Sequence, residues 1–581
     1  MTESMHGMII DAGSTGSRLH VYEFEPRVIS PQVDAFELKQ ALSGTKLTLP
    51  TTHSQWTERL SPGLSAFAAT PESLLICELA NYFKPLLEFA TSLLHNKAHR
   101  FHQFPIYLRA TAGMRILPSA QRDALMAAVR TVLSPDFNQC GFSPLNPFMF
   151  QNTHASVLSG EEEAVYGWAG VNYLMGTLLP TPGLESTPGL DSTPQTTTTY
   201  GALDMGGAST QISFIHSSKD ILSNLFNFHL GGTQHWGVYV NSFLHFGINE
   251  AYDRVSARLV FEHDQDQAEL FDDANSLSVP SPCLPGGAST TFTSTIRIQP
   301  FNPPTDQFLA QQFTITPAAT RVVNTDQPYT VTLANRANRG NFDQCAGLAQ
   351  TLLLPSQGHH DSAWCAQNEC SVSGSYQPSL PTKGHLQSSE TWVEFVAFSA
   401  YNHVWDFLKL PSRATIKQLR DAGRRICNMS LSQLQQYNSQ LSTPLQQQHH
   451  LLQMCFRSAY TYEILHHGYG FQITDHVNCL KTLQGREMGW ALGAMLYEIN
   501  TLPWQYLDPM ASPSPSISPG PHIALHSPTP FQWMQHPLSQ LFALSFFLLL
   551  CLFLRISRQL NHQKSMLQQD TSNFKCASYL V

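Results

Sequence analysis

Two stretches of this chain, far apart in sequence, share one pattern. The first reads MIIDAGSTGSRLHVYEF from Met8 to Phe24, and the second reads ALDMGGASTQISFI from Ala202 to Ile215. Each runs apolar residues into an aspartate, then a small turn of Gly, Ser and Thr, then an alternating strand. Leu19, Val21 and Glu23 mark that strand in the first copy, Gln211 and Ser213 in the second. Glycine permits a positive φ and lets backbone N–H groups come close to an anion. Ser and Thr hydroxyls add donors for phosphate oxygens. An aspartate at a strand end cannot bind phosphate itself, but it can hold a hydrated divalent cation that does. One such turn is weak evidence, because Asp-x-Gly-Ser is also an ordinary hairpin. Two copies predict a duplicated domain gripping a nucleotide's phosphates between its halves.

That logic belongs to an α/β class: a duplicated actin-like (ribonuclease-H-like) two-lobe fold with its active site in the interlobe cleft. Composition agrees. At 581 residues the chain far exceeds one domain of about 150 residues. Hydrophobic residues at 42% against 13% charged exclude a largely disordered chain. With Lys+Arg 33 against Asp+Glu 42 and no long basic run, a nucleic-acid partner is not expected. The 37 prolines and 34 glycines are ordinary for this length and exclude a collagenous fibre. The 25 histidines show no HExxH and no ligand spacing, so they read as scattered surface and core residues.

One segment departs from the globular average. Residues 538–554 (LSQLFALSFFLLLCLFL) carry no charge, and Arg555, Arg558 and Lys564 follow. Spanning an apolar core takes about 17–25 residues, so a transmembrane helix is expected here, with a cytoplasmic tail over 555–581. Residues 502–537, rich in Pro, Ser and His, read as a stalk, and 177–199, with TPGL-like units, as a low-complexity Thr/Pro insertion. The two lobes are then 1–176 and 200–501, with a final helix of the second returning to the first. No signal or anchor is visible before MTESMHGMIIDAG. Yet nine of the eleven cysteines precede 538–554 and bunch in the second half, which suggests disulfides in an oxidising compartment. Asn428-Met429-Ser430 is a glycosylation acceptor sequon. The expectation is a catalytic region in a secretory lumen, Golgi- or lysosome-like, or outside the cell, and an N-terminal signal anchor lacking from this sequence.

The two turns do not stand alone. Between them lie YLRATAGMRILP (Tyr107 to Pro118) and VLSGEEEAVYGWAGVNYL (Val157 to Leu174), and after them GREMGWALGAML (Gly485 to Leu496). In this combination and order the chain resembles the nucleoside triphosphate diphosphohydrolase family, the apyrases, from about Met8 to about Leu502. Ser17-Arg18, MRILP, LDMGG and CFRSAYTYEILHHGYGF (Cys455 to Phe471) lean toward the intracellular Golgi and lysosomal branch.

The resemblance implies hydrolysis of nucleoside tri- and diphosphates with Ca²⁺ or Mg²⁺. Hydrolysis without a covalent intermediate needs a positioned water, a base for its proton, and neutralised phosphate oxygens. Glu163 matches the family's general base, and Ser209 and Gln211 match residues that orient the attacking water. Asp11 and Asp204 match the carboxylates that hold the metal through its waters. Ser14, Thr15, Gly16 and the Gly206-Gly207-Ala208 amides would cradle phosphate, and Thr111 would contact the terminal one. Two departures stand out: Ala164 replaces the family's Gly, and Glu161 its usual Gln, which makes three consecutive carboxylates. Clustered like charges would raise the pKa of one of them. Arg109 reads as a structural salt bridge, and Trp490 as a core residue on an amphipathic helix.

Cys365 and Cys370, with Tyr376-Gln377-Pro378 behind them, resemble a short disulfide loop of the family. Cys427 with Cys455 and Cys283 with Cys345 are the further pairs it suggests. Cys77, Cys140 and Cys479 are left unassigned, and the odd count implies one free thiol. Two rival readings are a pseudoenzyme that binds nucleotide or a protein, and a phosphotransferase on the same fold. The intact set Asp11, Glu163, Asp204, Ser209 and Gln211 disfavours the first. The Ser-Thr-Gln tail of the second turn disfavours the other. Nucleobase preference is not fixed by the motifs; a nucleoside diphosphate such as UDP is the expectation.

Overall fold

In the computed structural model the strand run Met8-Ile9-Ile10 divides its side chains between two cores. Met8 and Ile10 pack with Leu79, Phe83 and Val129, whereas Ile9 packs with Trp168, Phe398 and Met495. Side chains alternate across a strand, so a continuous apolar run requires cover on both faces. The structure describes residues 3–29, 47–178, 199–216, 221, 223–231, 234–266, 276–294, 329–353, 370–382, 392–502 and 505–506. All of them lie in one compact unit, Met1–Leu507. The expected span at 538–554, nearly all of the stalk and of the 177–199 insertion, and Cys365 lie outside the described residues. Among the described residues no helix is long and apolar enough to cross a membrane.

The first sheet contains β1 (Met5–Ala12), β2 (Ser17–Phe24), β3 (Thr57–Leu60), β4 (Ile106–Ala110) and β5 (Ala155–Val157), in the order β3-β2-β1-β4-β5. The first three strands run antiparallel, and β4 and β5 continue parallel to β1. The second sheet contains β6 (Gly201–Met205), β7 (Ser209–Phe214), β8 (Leu225–Leu230), β9 (Gln234–Leu244), β10 (Phe395–Ser399), β11 (Arg413–Thr415) and β12 (His476–Cys479). Its order is β11-β12-β10-β6-β7-β9-β8. Here β6, β7 and β9 are antiparallel, and β10 and β12 run parallel to β6. Five central strands thus repeat the first sheet's connectivity, with β8 and β11 added at the edges. The repeated sequence motif is a repeated fold.

Helices cover the sheets. α1 (Glu72–Leu93), α2 (Ala112–Ile116) and α3 (Ser119–Leu133) belong to the first half, and α4 (Gly160–Leu174) closes it. α5 (Ile248–Asp266), α6 (Phe342–Leu353), α7 (Ala400–Leu408), α8 (Ile416–Cys427) and α9 (Met454–Glu463) belong to the second. The last helix, α10 (Trp490–Thr501), lies against α4 in a third core that takes Ile9 and Tyr22 from the first sheet and Ala202, Val396 and Phe398 from the second. Trp490 is buried there, as the sequence suggested. Polar ties fasten the same helix to the first half. Asn500 accepts from Arg27 (3.0 Å) and from the Thr48 N–H (2.9 Å), and Glu498 pairs with Arg109, the salt bridge expected for that arginine.

Disulfides join Cys283 to Cys345 and Cys427 to Cys455, as expected, and Cys77 to Cys140, two cysteines the sequence left unassigned. Cys370 is disulfide-bonded, and Cys479 is the free, buried thiol among the described residues. Asn428 is exposed at the end of α8.

Candidate active site

The two turns close alike. In the first, the Gly13 N–H donates to the Gly16 carbonyl at 2.9 Å, and in the second the Gly206 N–H donates to the Ser209 carbonyl at 2.9 Å. Asp11 stands opposite Arg18, and Asp204 opposite Gln211, across equivalent hairpins. The expected positive φ is not found: Gly13, Gly16, Gly206 and Gly207 are all absent from the left-handed region. At Gly16 and Gly207 it is space, not backbone handedness, that demands glycine. A Cβ on Gly207 would come 2.6 Å from Ser14 Oγ and 3.0 Å from Thr15 Cγ2, so the two turns meet tip to tip. One on Gly113 of α2 would come 2.7 Å from the Ser14 Cα.

The second turn is braced by the start of α5. The Ile248 N–H donates to Gly206 (3.0 Å), and the N–H groups of Asn249 and Glu250 donate to Gly207 (3.0 and 3.1 Å). These bonds occupy the carbonyls of the turn. Among the described residues, the N–H groups of Ser14, Thr15, Gly207 and Ala208 donate to no protein acceptor, which leaves them for an anion. The Gly206 amide, one of the expected donors, is instead spent closing its own turn. Thr111 is buried directly after β4, its N–H donating to Ala12 (3.2 Å) at the base of the first turn.

The acidic triplet separates by role. Ser159 caps α4 and forms a capping box with Glu162, Oγ accepting from the Glu162 N–H at 3.1 Å and Oε2 from the Ser159 N–H at 2.9 Å. Glu161 is exposed. Glu163, 6% exposed, points inward and accepts from Arg115 Nη2 at 2.8 Å. Its carboxyl is raised above the usual range by burial, against the lowering effect of Arg115. Clustering with Glu161 and Glu162, the cause anticipated from sequence, is not among the causes. Ala164 lies within the helix and its carbonyl accepts from Ser213 Oγ (3.1 Å).

Ser209 and Gln211 are both buried and stand beside Glu163 and Arg115. Ser209 Oγ accepts from Gln211 Nε2 (2.7 Å) and from Arg115 Nη2 (3.2 Å). With two bonds accepted, its own proton is left to donate outward. Gln211 Nε2 also reaches Ser242 Oγ at 3.2 Å, while Gln211 Oε1 is buried without a partner. An orphaned acceptor beside a buried carboxylate asks for a small donor such as water. Asp11 and Asp204 complete the group. Burial, then the charge of Glu163, pushes Asp11 up to about 8 and Asp204 up to about 7.

Arg115 is the main residue that sequence reasoning missed. It belongs to the quoted ATAGMR motif, yet only the fold brings it to Glu163. Ser242 and Gly160 were missed for the same reason: a Cβ on Gly160 would run into the Ser242 side chain, so β9 closes on the start of α4.

The chain matches the profile of the GDA1/CD39 (nucleoside phosphatase) family over residues 1–514. It is 29% identical over 522 residues to ectonucleoside triphosphate diphosphohydrolase 7 of Pongo abelii, covering 86% of this chain and 73% of the relative. It is 27% identical over 516 residues to the nucleoside-diphosphatase mig-23 of Caenorhabditis briggsae (86% and 78% covered). To the Golgi apyrase of Saccharomyces cerevisiae it is 26% identical over 526 residues (85% and 70%). Among solved structures, a nucleoside triphosphate hydrolase from Neospora caninum shares the fold, with a TM-score of 0.53 at 18% identity, covering 86% of this chain and 92% of that one.

Proposed function

This chain belongs to the GDA1/CD39 (nucleoside phosphatase) family, and from that premise we propose that it is an apyrase-type phosphohydrolase, converting nucleoside tri- or diphosphates to the monophosphate with release of orthophosphate. The observation that carries the reading is the orphaned Gln211 Oε1 beside Glu163 and Ser209, facing two turns with free amides. A water held there gives one proton toward Gln211 Oε1 and the other to Glu163, which aims its lone pair at the terminal phosphorus. Glu163 takes the proton as attack proceeds. Ser209 donates to the water or to a phosphate oxygen. The amides of Ser14, Thr15, Gly207 and Ala208 and the Thr111 hydroxyl hold the terminal phosphate.

Asp11 and Asp204 fit a hard divalent cation bound through its waters. Among the described residues no group of three or more His, Cys, Asp or Glu is placed to ligate a metal directly. Two carboxylates with raised affinity for protons, Asp204 buried and Asp11 half-buried, suit Mg²⁺ or Ca²⁺, which bind oxygen and keep water. When bound, the cation would neutralise charge on the phosphate oxygens.

The three disulfides and the relative named Golgi apyrase support a secretory-lumen setting, and the relative named nucleoside-diphosphatase supports diphosphates such as UDP as substrates. Initial rates of orthophosphate release from ATP, ADP, UDP and GDP, with Ca²⁺, Mg²⁺ or a chelator, test the proposal. Release that needs a cation is expected. No release from any of the four overturns it, and release undiminished by chelation removes the cation.

A further inference from the structure

We propose that Arg457 and Arg59, one from each half of the chain, clamp the phosphate that stays on the nucleoside after hydrolysis. The inference rests on the cleft being a nucleotide site. Arg457, on α9, donates to Asn249 Oδ1 (2.9 Å) and Gln453 Oε1 (3.0 Å), both neutral oxygens. Asn249 in turn touches the second turn, its Nδ2 lying 3.0 Å from where a Cβ on Gly207 would stand. Arg59, on β3, donates to Thr15 Oγ1 at 3.4 Å, and the Thr15 Cγ2 lies at the same distance as Asn249 from that point. Two guanidiniums from opposite sides therefore converge on the meeting of the turns, each one hydrogen bond away.

Neither has an ion-pair partner among the described residues. Three other partly buried arginines pair with carboxylates, Arg18 with Glu487, Arg109 with Glu498 and Arg115 with Glu163, whereas Arg130 rests on backbone carbonyls. Arg457 is half-buried and Arg59 exposed, so the cost of holding a cation on neutral oxygens falls on Arg457, and an anion there would offset it. Burial draws the Arg457 guanidinium down to about 10, and burial, followed by the charges of Arg457 and Arg59, lowers His403 and His450. The charges of Asp11 and Glu487 act on Arg59 in the opposite sense, while no carboxylate acts on Arg457, so an arriving anion relieves Arg457 most.

The position selects which phosphate. Glu163, Arg115 and Gln211 gather at Ser209, so the reacting phosphate belongs at that end of the turn. Arg457 reaches the turn at Gly207, two residues away and on the side of α5. A second phosphate, bridged to the first, falls within the reach of both arginines. Planar guanidiniums suit it because they donate two parallel hydrogen bonds to one phosphate.

The test is equilibrium binding by calorimetry on the full chain in Mg²⁺, with AMP and orthophosphate as separate probes. AMP carries the retained phosphate, and orthophosphate occupies the terminal position. Arg457→Gln keeps an N–H donor for Asn249 but loses the charge. It should weaken AMP about 10–100-fold, the loss of a hydrogen bond to a charged group, and leave orthophosphate affinity unchanged as proof of a folded site. Arg457→Lys should recover part of the loss, and Arg59→Gln, at an exposed position, should show the same selective weakening even if Arg457→Gln fails to fold. Unchanged AMP affinity in both glutamine variants overturns the clamp, as does weakening confined to orthophosphate. Because binding rather than turnover is read, a wild-type chain that releases no phosphate yet loses AMP affinity on Arg457→Gln would sink hydrolysis and keep the clamp.

Discussion

Replacing Arg115 by glutamine should convert the site from a neutral-pH catalyst into an alkaline one. Glu163 accepts from Arg115 at 2.8 Å, and the two side chains are 8% and 15% exposed. Removing one partner of a buried pair leaves a charge whose uncompensated cost is about 3–5 kcal/mol, and a carboxyl escapes that cost by holding its proton. Burial already raises Glu163 and only Arg115 opposes it, so losing Arg115 raises it further. A protonated Glu163 cannot take a proton from water. At pH 7 kcat should therefore fall toward the base-free limit, about 10²–10⁴-fold, and recover as pH increases. Stability follows the same sign. A carboxyl raised in the folded state is favourable to folding below its unfolded value of 4.5 and loses that advantage as pH climbs through the folded value. The stability gap between wild type and Arg115→Gln should thus widen from pH 5 to pH 8. A pH–rate profile and thermal unfolding at several pH values read both effects. A rate deficit that does not change with pH would show that Arg115 acts on the phosphate and not on the base.

Three further outcomes are expected. Cation binding needs ionised carboxylates, and Asp11 and Asp204 are pushed up to about 8 and about 7, so Mg²⁺ affinity should rise with pH up to about 8. Calorimetry at pH 7 in buffers of different ionisation enthalpy should show protons released on binding, and no release would contradict the assignment. Gly493→Ala would drive a Cβ onto the Tyr166 carbonyl oxygen where α10 crosses α4, forcing apart the helix that carries Glu163. Such overpacking costs about 1–3 kcal/mol or more, so both the unfolding midpoint and activity should drop; an unchanged midpoint refutes the close crossing. His20 is buried and held down to about 3 by burial, so stability present above pH 6.5 is lost as pH falls toward 3, and His20→Gln should flatten that decline in urea titrations.

The sequence showed what is local and hid what is assembled. Both turns, the acidic helix start and the final helix were legible because a hydrophobic run, a Gly/Ser/Thr turn and an apolar helix are each written in consecutive residues. The duplication was legible too, and the sheets repeat it strand for strand in their central five. What escaped depends on contacts across the fold. Arg115 lies 48 residues from Glu163, Ser242 lies 31 from Gln211, and Cys77 lies 63 from Cys140, with no spacing rule to join them. Glycine was read correctly as necessary in the turns but for the wrong reason. The backbone avoids positive φ there; at Gly207 the opposing turn leaves no room for a Cβ, and at Gly16 the Leu60 carbonyl of β3 leaves none. The triplet at 161–163 misled in the same way: one carboxylate caps a helix, one faces solvent, and burial alone raises the third.

Glu163 is the group proposed to take the proton from water, and its removal is the most direct test. Gln keeps the shape and hydrogen-bonding reach of Glu but accepts no proton at neutral pH. Single-turnover orthophosphate release should be compared for wild type, Glu163→Gln and Glu162→Gln at saturating nucleotide and Mg²⁺. The first substitution should slow release about 10²–10⁴-fold with nucleotide affinity little changed. The second keeps an acceptor for the Ser159 N–H, as Gln418 does in the capping box of α8, and should leave both stability and rate near wild type. Near-normal release from Glu163→Gln would contradict the central claim, and a collapse confined to Glu162→Gln would move the base to the neighbouring residue.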